Sequence, residues 1–568
     1  MVSIIKKAIK AIALSTLISG VFWHFGSENT VMADDSRRVY SYHESIGEKN
    51  TTLLVPVEPG CNYEVTVTFT GRAEDEGKEK VRPVRIYYED VDGDQCYANI
   101  QPAYEAQGVD DRSALLYETC KVGVTETRTF TVAAIDDSMQ LIFVGDAELL
   151  DVVVVQEEKK EPGEKRTIFV IGDSLVQTYN SKSYPMTGWG QRLNEFFTED
   201  IIVSNHALGG RSTMNFIKQG RLNAVLTQVR PGDYVFVTFG HNDAGSVAGR
   251  GCTVEKYQKY LEDWYIEGVR QRGGIPVMVT LGNQNIFAAK DGKIMQSFPA
   301  YVEAMKKAAE NKDCQLIDLN QKSRDRFQTI HDELGTIAMT DLVFHGFRPG
   351  IYETNINGSA DSTHFQTYGA WVLASLVAEG VKENNLEGLA QYYVPPTVYS
   401  TKPEAVKKLK INKKDFDENY THMDWTASEN AEYYVIERAV LSNDGTISPY
   451  ELFGYSPVNM FADNSREADA SYCYRVFAVN NAGRSEESEW VSVGDNAVKI
   501  EEALRPSPTP EPTIKVEDKQ ETDSVVVDDI AVDGSQTKNR AQVAIFVALF
   551  AGAYFFTDYL RKKNRKIK

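Results

Sequence analysis

The sequence predicts a parallel α/β sheet covered by helices on both faces, with an all-β segment on either side of it. Three observations carry this. Between residues 166 and 394, short apolar runs alternate with amphipathic stretches of helical length. Between 34 and 160, apolar residues recur at every second position and no long helical period appears. Between 400 and 494 the chain turns β-like again around Trp425. A chain of 568 residues exceeds several typical domain lengths, so the three segments are expected as separate domains. Apolar residues make up 42% of it, enough for ordinary cores.

In the first segment Tyr63, Val65, Val67 and Phe69 alternate with Glu64, Thr66, Thr68 and Thr70, the period of a half-buried strand. Thr125–Ala133, Leu141–Val144 and Asp151–Gln156 read as further strands, and together they imply a β-sandwich over 34–160. The acidic run 157–164, with Pro162 and Gly163, reads as a linker. In the middle segment, 166–394, Thr167–Ile171, Tyr234–Phe239, Pro276–Leu281 and Gln315–Leu319 read as buried strands. Thr253–Arg272 reads as a helix with Val254, Tyr257, Leu261, Trp264 and Val269 near one face; Tyr301–Glu310 and Tyr368–Lys382 read likewise. Such alternation of strand and helix builds a parallel sheet with helices on both faces.

In the third segment Tyr472-Cys473-Tyr474-Arg475-Val476-Phe477-Ala478-Val479-Asn480 leads to Gly483-Arg484-Ser485. With the early Trp425, this resembles a fibronectin type III domain over 400–494, which implies a second β-sandwich. Residues 501–540 are rich in Pro, Glu, Asp, Thr and Ser and predict an extended disordered linker.

Both ends are apolar. Lys6, Lys7 and Lys10 precede the run Ala11–Trp23, and Val31-Met32-Ala33 offers small residues for cleavage, the pattern of a signal peptide over 1–33. Residues 541–560 are long and apolar enough for a transmembrane helix, and six of the eight residues in 561–568 are Lys or Arg. The expectation is an exported protein anchored to the cell membrane by that helix, with a cytoplasmic basic tail.

The net charge of −20 argues against a nucleic-acid partner. The six cysteines contain no CxxC pair and no Cys/His cluster with zinc spacing, so neither a metal nor another cofactor is expected. One disulfide in the first segment and free buried thiols both remain open.

Chemistry concentrates in four blocks of the middle segment. Ile168–Ile171 runs into Gly172-Asp173-Ser174, which presents a serine at the carboxyl end of a buried strand, where ligands bind in open parallel sheets. Asn205-His206-Ala207-Leu208-Gly209-Gly210-Arg211-Ser212 precedes a predicted helix, and a glycine there lets a backbone N–H face an oxyanion. Gly240-His241-Asn242-Asp243 lies at another strand end, where an asparagine amide can donate to an oxyanion without carrying charge. Asp361-Ser362-Thr363-His364 places a carboxylate and an imidazole three residues apart before the last helix, close enough in one turn for the carboxylate to orient the ring. Each block alone reads equally well as a turn or a helix cap.

In this order the four blocks resemble those of the SGNH, or GDSL-like, hydrolases, a superfamily with a flavodoxin-like sheet. Within it, Gly188-Trp189-Gly190-Gln191, Asn205-x-Ala207-x-x-Gly210-Arg211-Ser212 and Gly240-His241-Asn242-Asp243 are similar to the bacterial rhamnogalacturonan acetylesterases. The resemblance implies a serine esterase: Ser174 as nucleophile, His364 as general base, Asp361 as its partner, and the Ser174 and Gly210 N–H groups with Asn242 as the oxyanion hole. It implies an acetylated plant polysaccharide, foremost pectic rhamnogalacturonan, as substrate. Another ester (acetylated xylan, a cell-wall glycan or a lipid) and a non-catalytic glycan-binding protein are the alternatives. Leu175 departs from the family's usual Thr, and the long stretch Gly335–Ser359 before the Asp-His pair is expected to reshape the cleft. A pectic substrate is anionic, so the cleft needs a local cation. Arg211 is the first candidate, with Lys182, Lys218 and Arg221 nearby; His241, and after it His345, are candidates for contact with substrate.

Overall fold

The computed structural model describes residues 50–71, 123–145, 147–247, 249–386, 388–412, 420–442, 446–467 and 470–494, with the short strands 29–30, 39–42, 82–89, 95–97 and 118–120. The middle of the chain forms a five-stranded parallel sheet. Its strands are β1 (Arg166–Gly172), β2 (Ile201–Asn205), β3 (Tyr234–Thr238), β4 (Ile275–Val279) and β5 (Gln315–Ile317), in the order β2-β1-β3-β4-β5. β1 and β3 are neighbours on which the winding direction reverses, so a crevice opens at their carboxyl ends. β3 is buried along its whole length, as its unbroken Tyr-Val-Phe-Val-Thr run requires of a strand covered on both faces.

The covering helices are α1 (Thr213–Lys218), α2 (Arg221–Leu226), α3 (Val254–Tyr260, continued by a wider π turn to Arg270), α4 (Pro299–Asn311), α5 (Leu319–Leu334) and α6 (Thr367–Glu383). Tyr257, Leu261, Trp264 and Val269 are buried on the predicted face. α5 was not foreseen; it starts directly behind β5, where the Asp318 side chain accepts the Gln321 N–H at 3.2 Å and caps it. Between α5 and α6 the chain makes a hairpin of β6 (Phe344–Phe347) and β7 (Ser359–Phe365).

Two antiparallel sheets precede this layer. One orders strands 29–30, 39–42, 147–156, 62–71 and 125–133; the other orders 50–56, 138–145, 82–89 and 95–97, with 118–120 beside 82–89. Tyr63, Val65, Val67 and Phe69 are all buried, as their alternation predicts. After the parallel sheet come a three-stranded and a five-stranded antiparallel sheet: 407–412, 421–426 and 460–463 face 451–456, 433–441, 471–480 and 483–484, with 491–493 on 471–480. This is the sandwich the fibronectin-like pattern implied, with Trp425 and Tyr434 packed edge to face in its core.

Both sandwiches share core with the helices. Asn223 in α2 accepts the Ala133 N–H at 2.8 Å and donates to Thr131 O at 2.9 Å, and Arg272 donates to Ala134 O at 2.9 Å and Gly268 O at 2.8 Å. On the other side Tyr455, Phe477 and Val479 join the cluster that contains α6.

The membrane anchor expected over 541–560 is corrected. Among the described residues no helix is long and apolar enough to cross a membrane, and 541–560 and the basic tail lie outside them. An apolar run of spanning length is a requirement for such a helix and not yet the helix. The signal peptide expected over 1–33 is likewise unsupported; apart from Asn29–Thr30, which pairs with Val39–Tyr42, it lies outside the described residues, as does the 501–540 linker. Cys61, Cys252, Cys314 and Cys473 are free thiols.

Candidate active site

Three loops meet at the crevice above β1 and β3. β1 ends in Gly172, and the turn behind it is held by Asp173: its carboxylate accepts the Leu175 N–H at 3.0 Å and its carbonyl accepts the N–H groups of Val176 and Gln177. Ser174 is thereby lifted half-exposed from the strand end. The Tyr179 hydroxyl donates to Ser174 O at 2.8 Å and braces the turn.

Across the crevice, β7 brings in Asp361 and His364. In an ideal strand two residues three apart face opposite sides. Here Phe344 opposes Phe365 while Gly346 already opposes Ala360, so residues 361–364 bulge out against the single residue His345. The Asp361 carboxylate closes the bulge by accepting the N–H groups of Thr363 at 2.7 Å and His364 at 3.0 Å. Its other oxygen meets His364 Nδ1 at 2.6 Å, and His364 Nε2 lies 2.8 Å from Ser174 Oγ. Burial alone would raise the Asp361 pKa; the hydrogen bond and charge of His364 and the two backbone N–H groups outweigh it and bring it to about 2. Asp361 is therefore an anion at neutral pH.

Gly210, after β2, has φ +79°, a backbone that favours glycine. Its neighbour Gly209 packs directly on the serine: a Cβ on Gly209 would lie 3.3 Å from Ser174 Cβ. Asn242 donates one amide hydrogen to Arg211 O at 3.0 Å, which ties the third block to the second. Asp243 adds a buried knot, accepting the Thr213 N–H at 3.0 Å and the Cys252 thiol at 3.4 Å; burial pushes its carboxyl up to about 6.

Not every predicted residue reaches the crevice. Arg211 is buried and spends its guanidinium on Gly209 O at 2.5 Å and the Gln219 side chain at 3.0 Å, so it braces the loop. Arg221 is buried as well. His241 lies beneath the site, 3.7 Å from the Asp173 carboxylate and edge-on to Phe298; burial, with the charge of His364, lowers it to about 3. His345 is buried, 3.1 Å from Ser359 Oγ, and burial lowers it to about 4. The sequence alone singles out neither Tyr179 nor Arg250, and it places Asp243 in the third block without a role of its own. Arg250 was findable as a cation between Gly249 and Gly251 in the loop that follows the third block. Among the described residues no cluster of His, Cys, Asp or Glu is arranged to hold a metal.

A family model described as GDSL-like lipase/acylhydrolase matches residues 170–345. Rhamnogalacturonan acetylesterase RhgT of Bacillus subtilis (strain 168) is 34% identical over 219 residues, 39% of this chain and 90% of that protein. The probable rhamnogalacturonan acetylesterase YesY of the same organism is 38% identical over 221 residues, 39% of this chain and 94% of that one. A crystal structure of the Bacillus subtilis protein YxiM covers 60% of this chain and 82% of its own at 23% identity, with a TM-score of 0.33.

Proposed function

On the premise that this chain belongs to the GDSL-like lipase/acylhydrolase family, together with relatives named rhamnogalacturonan acetylesterases, we propose that it is a serine esterase that removes O-acetyl groups from pectic rhamnogalacturonan. Ser174 is the nucleophile, His364 the general base and Asp361 the group that orients the imidazole. The observation that supports this most is the unbroken relay from Ser174 Oγ to His364 at 2.8 Å and on to Asp361 at 2.6 Å.

The chemistry follows from that relay. His364 takes the Ser174 proton as Oγ attacks the acetyl carbonyl, and the Asp361 anion stabilises the imidazolium. The oxyanion is received by the Ser174 and Gly210 N–H groups and the free hydrogen of the Asn242 amide. His364 returns its proton to the departing sugar oxygen, leaving an acetylated Ser174. Water, deprotonated by the same imidazole, then releases acetate. We keep residues 34–160, 166–394 and 400–494 as three domains, a division supported by their separate hydrogen-bonded sheets.

The test is acetate release from acetylated rhamnogalacturonan beside acetylated xylan, with 4-nitrophenyl acetate as a general ester. Release from the pectic polymer, and its loss in Ser174→Ala, is expected. Equal release from xylan would remove the substrate while leaving the chemistry.

A further inference from the structure

The protein carries a net charge of −20, yet the proposed substrate is a polymer of uronic acid. Of the four cations that the sequence offers near the site, Arg211, the first candidate, and Arg221 are buried. Another lies in place of them. A Cβ on Gly210 would sit 3.2 Å from Arg250 Cζ, 3.2 Å from Nη2 and 3.3 Å from Nη1. Near-equal distances to these three atoms mean that the flat face of the guanidinium lies on Gly210. Gly210 is one residue from Gly209, which touches Ser174.

Arg250 is held there by a closed loop. The loop leaves from Asp243 and returns to it, since Cys252 N donates to Asp243 O at 3.1 Å. The Tyr301 hydroxyl donates to Cys252 O at 2.6 Å and fixes the return limb from the other side. Within the loop Arg250 N donates to Val247 O at 3.1 Å. The side chain is half-buried, and among the described residues Arg250 makes no ion pair. A planar fork without an anionic partner, resting on a proposed oxyanion donor, is suited to a carboxylate brought by a ligand.

We propose that Arg250 forms a carboxylate-binding subsite that reads the uronate group of the sugar whose ester is cleaved, or of its neighbour in the chain. The inference rests on the esterase reading above and adds to it the residue that selects an acidic sugar. The ester carbonyl must sit at the Gly210 N–H, and a carboxylate on the same ring lies about a ring's width away, where the guanidinium edge can meet it.

The experiment uses the full chain and two forms of one acetylated rhamnogalacturonan, its carboxylates free or methyl-esterified. The parent should favour the free acid form by kcat/KM. Arg250→Gln should cut that preference at least tenfold, chiefly through KM, with Arg250→Lys in between because it keeps charge and loses the fork. Free galacturonate should also inhibit 4-nitrophenyl acetate hydrolysis more strongly than galactose in the parent, and no more strongly in Arg250→Gln. Retention of the preference by Arg250→Gln overturns the subsite and leaves the esterase standing. A parent that does not distinguish the two forms overturns it equally. Loss through kcat alone, equal on both forms, would make Arg250 a contributor to the oxyanion hole instead. If the parent cleaves 4-nitrophenyl acetate but neither polymer, the substrate reading fails, and the galacturonate inhibition then decides the subsite by itself.

Discussion

One hydrogen of the Asn242 amide is committed to Arg211 O at 3.0 Å, and that bond aims the other hydrogen. A donor fixed before substrate arrives needs no reorganisation when charge develops on the carbonyl oxygen. Asn242→Ala should therefore lower kcat by about 10²–10³ with a smaller change in KM; a change confined to KM, measured on 4-nitrophenyl acetate, would make it a substrate-binding residue instead. Ser174→Ala should cost several orders of magnitude in rate with the fold intact, and near-normal turnover by a folded variant would sink the nucleophile assignment. The blocks containing Ser174, Asn242, Asp361 and His364 were legible because each joins a reactive residue type to an element end. Arg211 misled because adjacency to Gly210 in sequence says nothing of direction: its side chain turns inward to Gly209 O, whereas Arg250, forty residues on, comes back to lie on Gly210.

The element that matters most to the chemistry is a strand that breaks its own register. Asp361 and His364 were expected in one turn before α6, and they lie instead on β7, where the bulge at 361–364 restores the proximity that a flat strand would deny. The insertion Gly335–Ser359 supplies β6, the partner against which that bulge forms, so it helps to position the proposed base. Period-2 and apolar-run patterns made the strands at 62–71, 125–133 and 234–238 legible, since burial alone decides them. The bulge was not legible, because it depends on which strand pairs with 359–365 and in what register. The loop of the second block leads to a further prediction. Arg211→Ala removes the guanidinium that holds Gly209 O and Gln219, so it should lower kcat/KM on acidic and neutral esters alike and reduce the melting temperature. A loss restricted to the acidic polymer would return Arg211 to the role of substrate contact.

Across the whole molecule, the parallel sheet is clasped between two sandwiches, and the second of them holds the insertion that carries β6. Arg348 donates to Phe453 O at 2.7 Å and lies 4.3 Å over the Phe453 ring, while the Asp341 carboxylate accepts the Tyr455 N–H at 3.1 Å. Single strands such as 167–171, 234–239 and 472–480 were readable in isolation; this contact was not, because it joins residues more than a hundred positions apart with no period to announce it. It also makes stability depend on pH. Burial raises the Asp341 carboxyl from 3.8 to about 6, against the lowering effect of Arg348, the Tyr455 N–H and Thr340. A carboxyl whose folded pKa lies above its unfolded value binds more protons in the native state, so unfolding becomes easier as pH rises. Its contribution is complete below about pH 4 and is lost as pH rises through 6. Asp173 and Asp243, raised by burial to about 7 and about 6, act in the same direction. Asp341→Asn separates the clasp from the other two, because the amide oxygen can still accept the Tyr455 N–H but no longer ionises. Relative to the parent, this variant should gain melting temperature between pH 5 and pH 8. Parallel melting curves for parent and variant across that range would show that the Asp341 carboxyl does not change its charge there and that the pH dependence arises elsewhere.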